Sequence, residues 1–268
     1  MLNALFHFIL HIVTTAVSFR RTVPLVTPMK GMAMLATVTV MLAFALQQST
    51  GSKLLASVET NIPSVQNEII GLINTIRRNV KPQAQNMLKM TWSEHAAASA
   101  EAWVRKCNFN HSPVKDRTLN ETICSELLFK ASYPASWTHI IRTWFKQEEN
   151  FTYGVGEKFV DAQIGHYTQM VWARSNQMGC QVAFCGKAFI YSCIFCPAGN
   201  DYTRMGLPYE MGTTCKRCPN DCEDGLCTNP CPYTDKYVNC DEMKDDCEFD
   251  SLVREGCKAT CQCTTEIK

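Results

Sequence analysis

The chain has 268 residues, 46% of them hydrophobic, and a formal net charge of +1. That length holds one domain of ordinary size and a smaller one, with enough apolar content for a buried core. The near-neutral charge gives no footing for nucleic acid or for a strongly anionic partner.

Two apolar stretches lie near the N-terminus. Leu2 to Phe19 ends at Arg20-Arg21, and Met32 to Leu46 follows Lys30. The second has a basic start, an apolar middle and small residues at Ala43-x-Ala45 ahead of Gln47-Gln48-Ser49, the layout of a cleaved secretory signal. Residues 1–46 are therefore read as an upstream extension and signal peptide, removed near 45–48, with Met29 a second candidate start. A membrane anchor is the alternative, but both stretches are short for a span of about 20 residues. The mature protein is expected to be secreted and extracellular. Residues 47–61 are polar and poorly patterned and read as a mobile mature N-terminus.

From Pro63, Val65, Ile69, Leu72, Ile73 and Ile76 recur at helical spacing. Arg77 and Arg78 suit the last turn, where cations oppose the helix dipole. Thr91-Trp92-Ser93-Glu94 reads as a capping box, with Thr91 as N-cap, before an alanine-rich helix that carries Trp103. His95 in its first turn reads as solvated. Cys107 to Glu126 shows no period and reads as a loop pinned by Cys107 and Cys124. A third helix is expected from near Pro134, with Trp137, Ile141, Trp144 and Glu148 on one stripe, Ile140 and Phe145 widening it, and His139 outside it.

The segment Gly165-His166-Tyr167-Thr168-Gln169-Met170-Val171-Trp172 follows a Gly-rich break and holds the last histidine. Its mix of apolar and polar side chains suits one buried side and a polar side facing a cavity. Two β-type runs come next, Gly179–Cys185 and Ala188–Cys193, joined by Gly186-Lys187. Helices followed by a hairpin indicate an α+β sandwich. Residues 201–214 read as a linker.

Ten of the 16 cysteines fall between Cys215 and Cys263. This last segment has too few large apolar residues to fold on a core of its own. Five bridges are expected there, each contributing about 2–4 kcal/mol. A zinc cluster is the rival, because Cys215-x-x-Cys218 has metal-type spacing. The absence of histidine after His166 and the export signal favour disulfides. Asn110, Asn120 and Asn150 head N-glycosylation sequons; a glycan at Asn110 would crowd His111.

Among catalytic arrangements, a free Cys–His pair conflicts with an even cysteine count in an oxidising compartment. A serine hydrolase lacks a Gly-x-Ser-x-Gly elbow. Ser125 beside Glu126 and Ser112 beside His111 are neighbours in sequence only. The remaining candidate is a cleft in which His111, His166, Glu126 and Glu148 converge, since imidazole with carboxylate suits Zn²⁺.

Gly165–Trp172 resembles the signature of the CAP superfamily: cysteine-rich secretory proteins, antigen 5 and plant pathogenesis-related 1 proteins. Ile190–Asn200 resembles its second signature, with Ile194 where a polar residue is usual. Cys215-x2-Cys218-x3-Cys222-x4-Cys227-x3-Cys231-x8-Cys240 resembles the hinge and tail of the cysteine-rich secretory proteins. Asn86–Met90, Cys222–Cys231 and Lys258–Cys261 resemble the mammalian epididymal, sperm-coating branch.

The resemblance implies an α-β-α sandwich CAP domain over 62–200, the linker 201–214, a disulfide hinge over 215–230 and a cysteine-rich, ShK-like ion-channel-regulatory domain over 231–263. It implies the pairs Cys107–Cys185, Cys124–Cys196, Cys180–Cys193, Cys215–Cys222, Cys218–Cys227, Cys231–Cys263, Cys240–Cys257 and Cys247–Cys261. His111 and His166 match the two histidines of the family cleft, and Glu126 matches its first glutamate. The second glutamate usually lies three residues after the helix tryptophan, and here that position is Gln147. Glu148 is one residue on, about 100° around a helix. The expected function is a secreted, non-enzymatic binding protein that needs no cofactor, although Zn²⁺ suits the cleft. Its expected partners are a membrane ion channel and a receptor on the sperm or egg surface, in sperm maturation and gamete interaction. A metal-dependent hydrolase and a lipid or sterol carrier are the alternatives.

Overall fold

A computed structural model describes residues 39–41, 58–237 and 239–268. The proposed signal segment lies outside these apart from 39–41, which is helical. No helix among the described residues is long and apolar enough to cross a membrane.

The large domain begins earlier than its patterning suggests. Val58 and Thr60 are buried in the large domain and do not belong to a mobile tail. The Val58 carbonyl accepts from Trp137 Nε1 at 2.8 Å, and Thr60 Oγ1 donates to the Cys180 carbonyl at 2.6 Å. Helix α1 (Pro63–Arg78) starts on proline, whose missing N–H is not needed in the first turn. It buries Val65, Ile69 and Ile73. After β1 (Thr91–Trp92), helix α2 (Glu94–Val104) starts on Ser93, whose hydroxyl accepts from the Ala96 N–H. The N-cap is therefore Ser93 and not Thr91, because Thr91 and Trp92 are held extended beside a neighbouring strand. Glu94 Oε1 instead accepts from Trp92 Nε1 at 3.0 Å.

The loop expected over 107–126 is more ordered than its lack of period implies. It holds a 3₁₀ turn (Val114–Arg117) and a small hairpin, β2 (Thr118–Leu119) and β3 (Thr122–Ile123). Asn120 and Glu121 form its two-residue turn, both at positive φ as a primed turn requires. Glu126 already lies on a strand, β4 (Ser125–Ala131). Helix α3 (Trp137–Phe145) is capped by Ser136 and buries Trp137, Ile140, Ile141 and Trp144. It tightens into a 3₁₀ turn over Lys146–Asn150, which takes Glu148 off the helical stripe. A short hairpin, β5 (Phe151–Thr152) and β6 (Gly156–Glu157), leads to helix α4 (Gly165–Met170).

Strands β7 (Gln177–Phe184) and β8 (Phe189–Cys196) complete a four-stranded sheet in the order β1-β7-β8-β4. Alternation along β8 sends Tyr191, Cys193 and Phe195 to a core shared with α1 and α3. Ile194 and Cys196 point to the opposite face, against Ala96 and Ala100 of α2. The result is a sheet between α2 on one side and α1 with α3 on the other: an α-β-α sandwich.

Residues 201–214 form no strand or helix, yet they run against the domain. Ala173 N donates to the Pro208 carbonyl, Gln85 N to Glu210 and Gly154 N to Gly206. The hinge hairpin, β9 (Cys222–Glu223) and β10 (Leu226–Cys227), is joined to the large domain by backbone bonds. Cys227 N donates to the Met87 carbonyl and Lys89 N to the Cys227 carbonyl, each at 2.8 Å. Leu88 packs there with Cys215, Cys218, Cys227 and Ile267. The tail contains a 3₁₀ stretch (Cys240–Glu248), α5 (Ser251–Gly256) and α6 (Lys258–Gln262). The cysteines pair as Cys107–Cys185, Cys124–Cys196, Cys180–Cys193, Cys215–Cys222, Cys218–Cys227, Cys231–Cys263, Cys240–Cys257 and Cys247–Cys261.

Candidate functional site

Four separate pieces of chain supply the cleft. The loop after α2 carries His111 and Ser112, β4 carries Glu126, the end of α3 and the 3₁₀ turn after it carry Trp144 and Gln147, and α4 carries His166. Packing of α3 and α4 against the sheet brings the last two pieces together.

Glu126 is buried, and each of its oxygens is occupied. Oε2 accepts from the Ser112 N–H at 2.7 Å and meets His111 Nδ1 at 3.2 Å. Oε1 accepts from Ser192 Oγ of β8 at 2.9 Å. Burial alone would raise this carboxyl. The hydrogen bonds from His111, Ser112 and Ser192 outweigh that effect and hold it below its ordinary range. As a carboxylate it can only accept, so His111 presents Nδ1–H to it. His111 itself is open, with its side chain 62% exposed.

His166 sits at the start of α4 and stacks on Trp144, with ring centroids 5.8 Å apart and planes inclined by 27°. Gln147 grips it twice. Gln147 Oε1 accepts from the His166 backbone N–H at 2.8 Å, and Gln147 Nε2 lies 2.7 Å from His166 Nδ1. Burial, with a smaller contribution from the nearby His111, pulls the imidazole down to about 4. At neutral pH this ring is uncharged.

The residue opposite His166 is therefore Gln147. Glu148 instead acts electrostatically on Tyr167 and Tyr209, raising both phenols in addition to the effect of burial. Of the two histidines, Glu126 hydrogen-bonds with His111. Among the described residues, the ligand atoms of His111, His166 and Glu126 do not draw together into a three-donor cluster. The grouping that does is Cys215, Cys218 and Cys227. Each of these sulfurs is in a disulfide, with Cys222 or with one another, so none is a thiolate.

The support of the site rests on residues that the sequence patterns do not single out. Arg77, 1% exposed, donates to the carbonyls of Met170 at the end of α4, of Trp172, Ala173 and Ser175 after it, and of Leu88. Its place on the buried face of α1, in register with Ile69 and Ile73, is the available signal; the last-turn dipole rule says nothing of burial. Gln169 joins the two motif segments. Its Oε1 accepts from Ser125 Oγ and the Gly199 N–H, and its Nε2 donates to Ser175 Oγ. Asn200 Nδ2 donates to the Gly165 carbonyl, and Thr168 Oγ1 donates to Asn200 Oδ1. Ser192 becomes visible as a partner of Glu126 only when β4 is paired with β8.

Of the sequon asparagines, Asn120 is exposed at the tip of its hairpin. Asn110 donates to Asn108 Oδ1, and Asn150 donates to the Gln163 carbonyl.

Comparison with known proteins follows the same division of the chain. The model of the CAP cysteine-rich secretory protein family matches residues 70–195, and the Crisp model matches residues 215–268. Human "Cysteine-rich secretory protein 2" is 44% identical over 209 residues, covering 76% of this chain and 85% of that protein. Mouse "Cysteine-rich secretory protein 1" is also 44% identical, over 227 residues, covering 83% and 92% respectively. Equal identities do not single out a branch. Among solved structures, Na-ASP-1 is similar with a TM-score of 0.53 and 30% identity, over 62% of this chain and 47% of that one. NaASP2, solved with Zn²⁺, has a TM-score of 0.53 and 25% identity, over 61% of this chain and 95% of that one.

Proposed function

The chain belongs to the cysteine-rich secretory protein family, and from that premise we propose that it is a secreted, non-enzymatic binding protein whose tail acts on a membrane protein. The partner class is an ion channel or a receptor on the sperm or egg surface, with a role in sperm maturation and gamete interaction. Eight disulfides and no free cysteine among the described residues support an extracellular location.

The observation that carries the binding role is the surface of the tail. Three disulfides hold the 231–263 segment, which leaves Phe249 86% exposed and Leu252 78% exposed on either side of the helix cap Asp250. Large apolar side chains held outward on a rigid, stapled turn suit insertion into a partner's pocket. The non-enzymatic reading rests on Gln147, an amide that cannot serve as general acid or base beside His166. This function requires no metal.

Whole-cell recording of sperm calcium current tests the proposal, with the full secreted chain applied outside the cell. Wild type is expected to change the current, and Phe249→Ala with Leu252→Ala is expected to abolish the change. A current unaffected by wild type at micromolar concentration overturns the channel role.

A further inference from the structure

We infer that Gln147 fixes His166 as its Nε2–H tautomer, so that this imidazole offers the cleft a hydrogen-bond donor and is closed to Zn²⁺ at that nitrogen. The orientation follows by elimination. A backbone N–H can only donate, so the Gln147 atom 2.8 Å from the His166 nitrogen is the amide oxygen. The other end of the same amide is then the NH₂ group, which also can only donate. It lies 2.7 Å from His166 Nδ1. Nδ1 must therefore present its lone pair, and the single proton of the neutral ring sits on Nε2. Stacking on Trp144 holds the ring in that plane. Nε2 has no partner among the described residues.

His111 is set the opposite way, since the Glu126 carboxylate takes its Nδ1–H and leaves Nε2 with a lone pair. The cleft thus pairs one imidazole that donates with one that accepts. A metal ion needs two lone pairs, and the partner on the far side of each ring decides whether it gets them. A carboxylate at position 147 would accept both from the His166 N–H and from Nδ1–H, and would free Nε2. The amide does the reverse. This inference stands apart from the tail's activity and survives if the channel role fails.

Long-range ¹H–¹⁵N NMR of the labelled wild-type chain reads the tautomer directly, with no variant required. His166 is expected to show an unprotonated Nδ1 and a protonated Nε2. The reverse pattern overturns the inference. Calorimetric titration with zinc chloride gives the second readout. Gln147→Glu and the uncharged Gln147→Met both remove the amide donor, and both are expected to tighten Zn²⁺ binding about 10-fold or more. If only the glutamate variant gains affinity, added charge and not the tautomer is responsible, and the inference fails. Wild type binding as tightly as either variant overturns it as well.

Discussion

Nη1 of Arg77 lies 2.8 Å from the carbonyl oxygen of Trp172, the last residue of the segment that carries His166. All five N–H groups of this guanidinium are used on backbone carbonyls: Nε on Leu88, Nη1 on Met170 and Trp172, Nη2 on Ala173 and Ser175. Burial pulls it down to about 9, which still leaves it charged at neutral pH. A chain turn rich in carbonyls is thus organised by one cation in place of a helix or a sheet.

Replacing Arg77 should cost more stability than any surface change. Arg77→Met removes five donors from buried carbonyls, of which Trp172 and Ala173 keep a backbone N–H, and a loss of about 3 kcal/mol is expected. Arg77→Lys should recover only part of it, because an ammonium has three donors and no planar fork. Urea unfolding midpoints of the three proteins check the order.

Acid should loosen the cleft. The ordinary imidazole value is 6.5, and folded His166 sits near 4, so between these values the unfolded chain binds the proton and the folded one does not. The stability linked to His166 is complete above 6.5 and is lost as pH falls toward 4. Glu126 acts in the same sense: its folded value lies below the ordinary 4.5, so its contribution is present above 4.5 and lost as pH falls through the folded value. Melting temperature should decline from pH 6.5 to pH 4, and His166→Ala should flatten that part of the curve.

Gly179 of β7 should tolerate no side chain. A Cβ there would stand 2.1 Å from the Ala97 nitrogen and 2.5 Å from the Ser93 carbonyl oxygen, both backbone atoms of the α2 start. Gly179→Ala must push α2 off the sheet, at a cost of about 3 kcal/mol. Reduced secretion and a lower melting temperature are expected.

Asn120 should carry glycan. Its hairpin tip is exposed, and its side chain has no partner among the described residues, whereas the Asn150 amide is engaged with Gln163. Asn120→Gln is expected to remove one glycan, seen as a mobility shift that glycosidase treatment of the wild type reproduces. Equal mobility of the two untreated proteins would refute it.

Much of the sandwich was legible because its patterns are local. Val65, Ile69 and Ile73 repeat at helical spacing, and the β7–β8 hairpin has alternation with Gly186-Lys187 between its strands. What escaped depends on distant chain. The run Leu127-Leu128-Phe129 is too short and too uniformly apolar to show a period, so β4 emerges only from its pairing with β8. Arg77 reads only as a last-turn cation because four of the five carbonyls that claim it lie 93 to 98 positions away. Residues 58–61 looked disordered because their anchors, Trp137 and Cys180, come much later in the chain. In the cleft, family resemblance marked position 147, but only geometry shows which end of the amide faces His166.

No disulfide crosses from the large domain to the tail: the first three bridges close within 107–196, and the other five within 215–263. What joins them besides the chain itself is non-covalent: Met87, Leu88 and Lys89 against Cys227, Leu226 in a cluster with Val80 and Met87, Arg217 N on the Gln85 carbonyl, and the ion pairs Arg78–Asp224 and Lys89–Glu223. A protease cut at the exposed residues 202–204 would consequently yield a nicked particle that still travels as one body through a sizing column. Its fragments would part in denaturant alone, with no reducing agent needed.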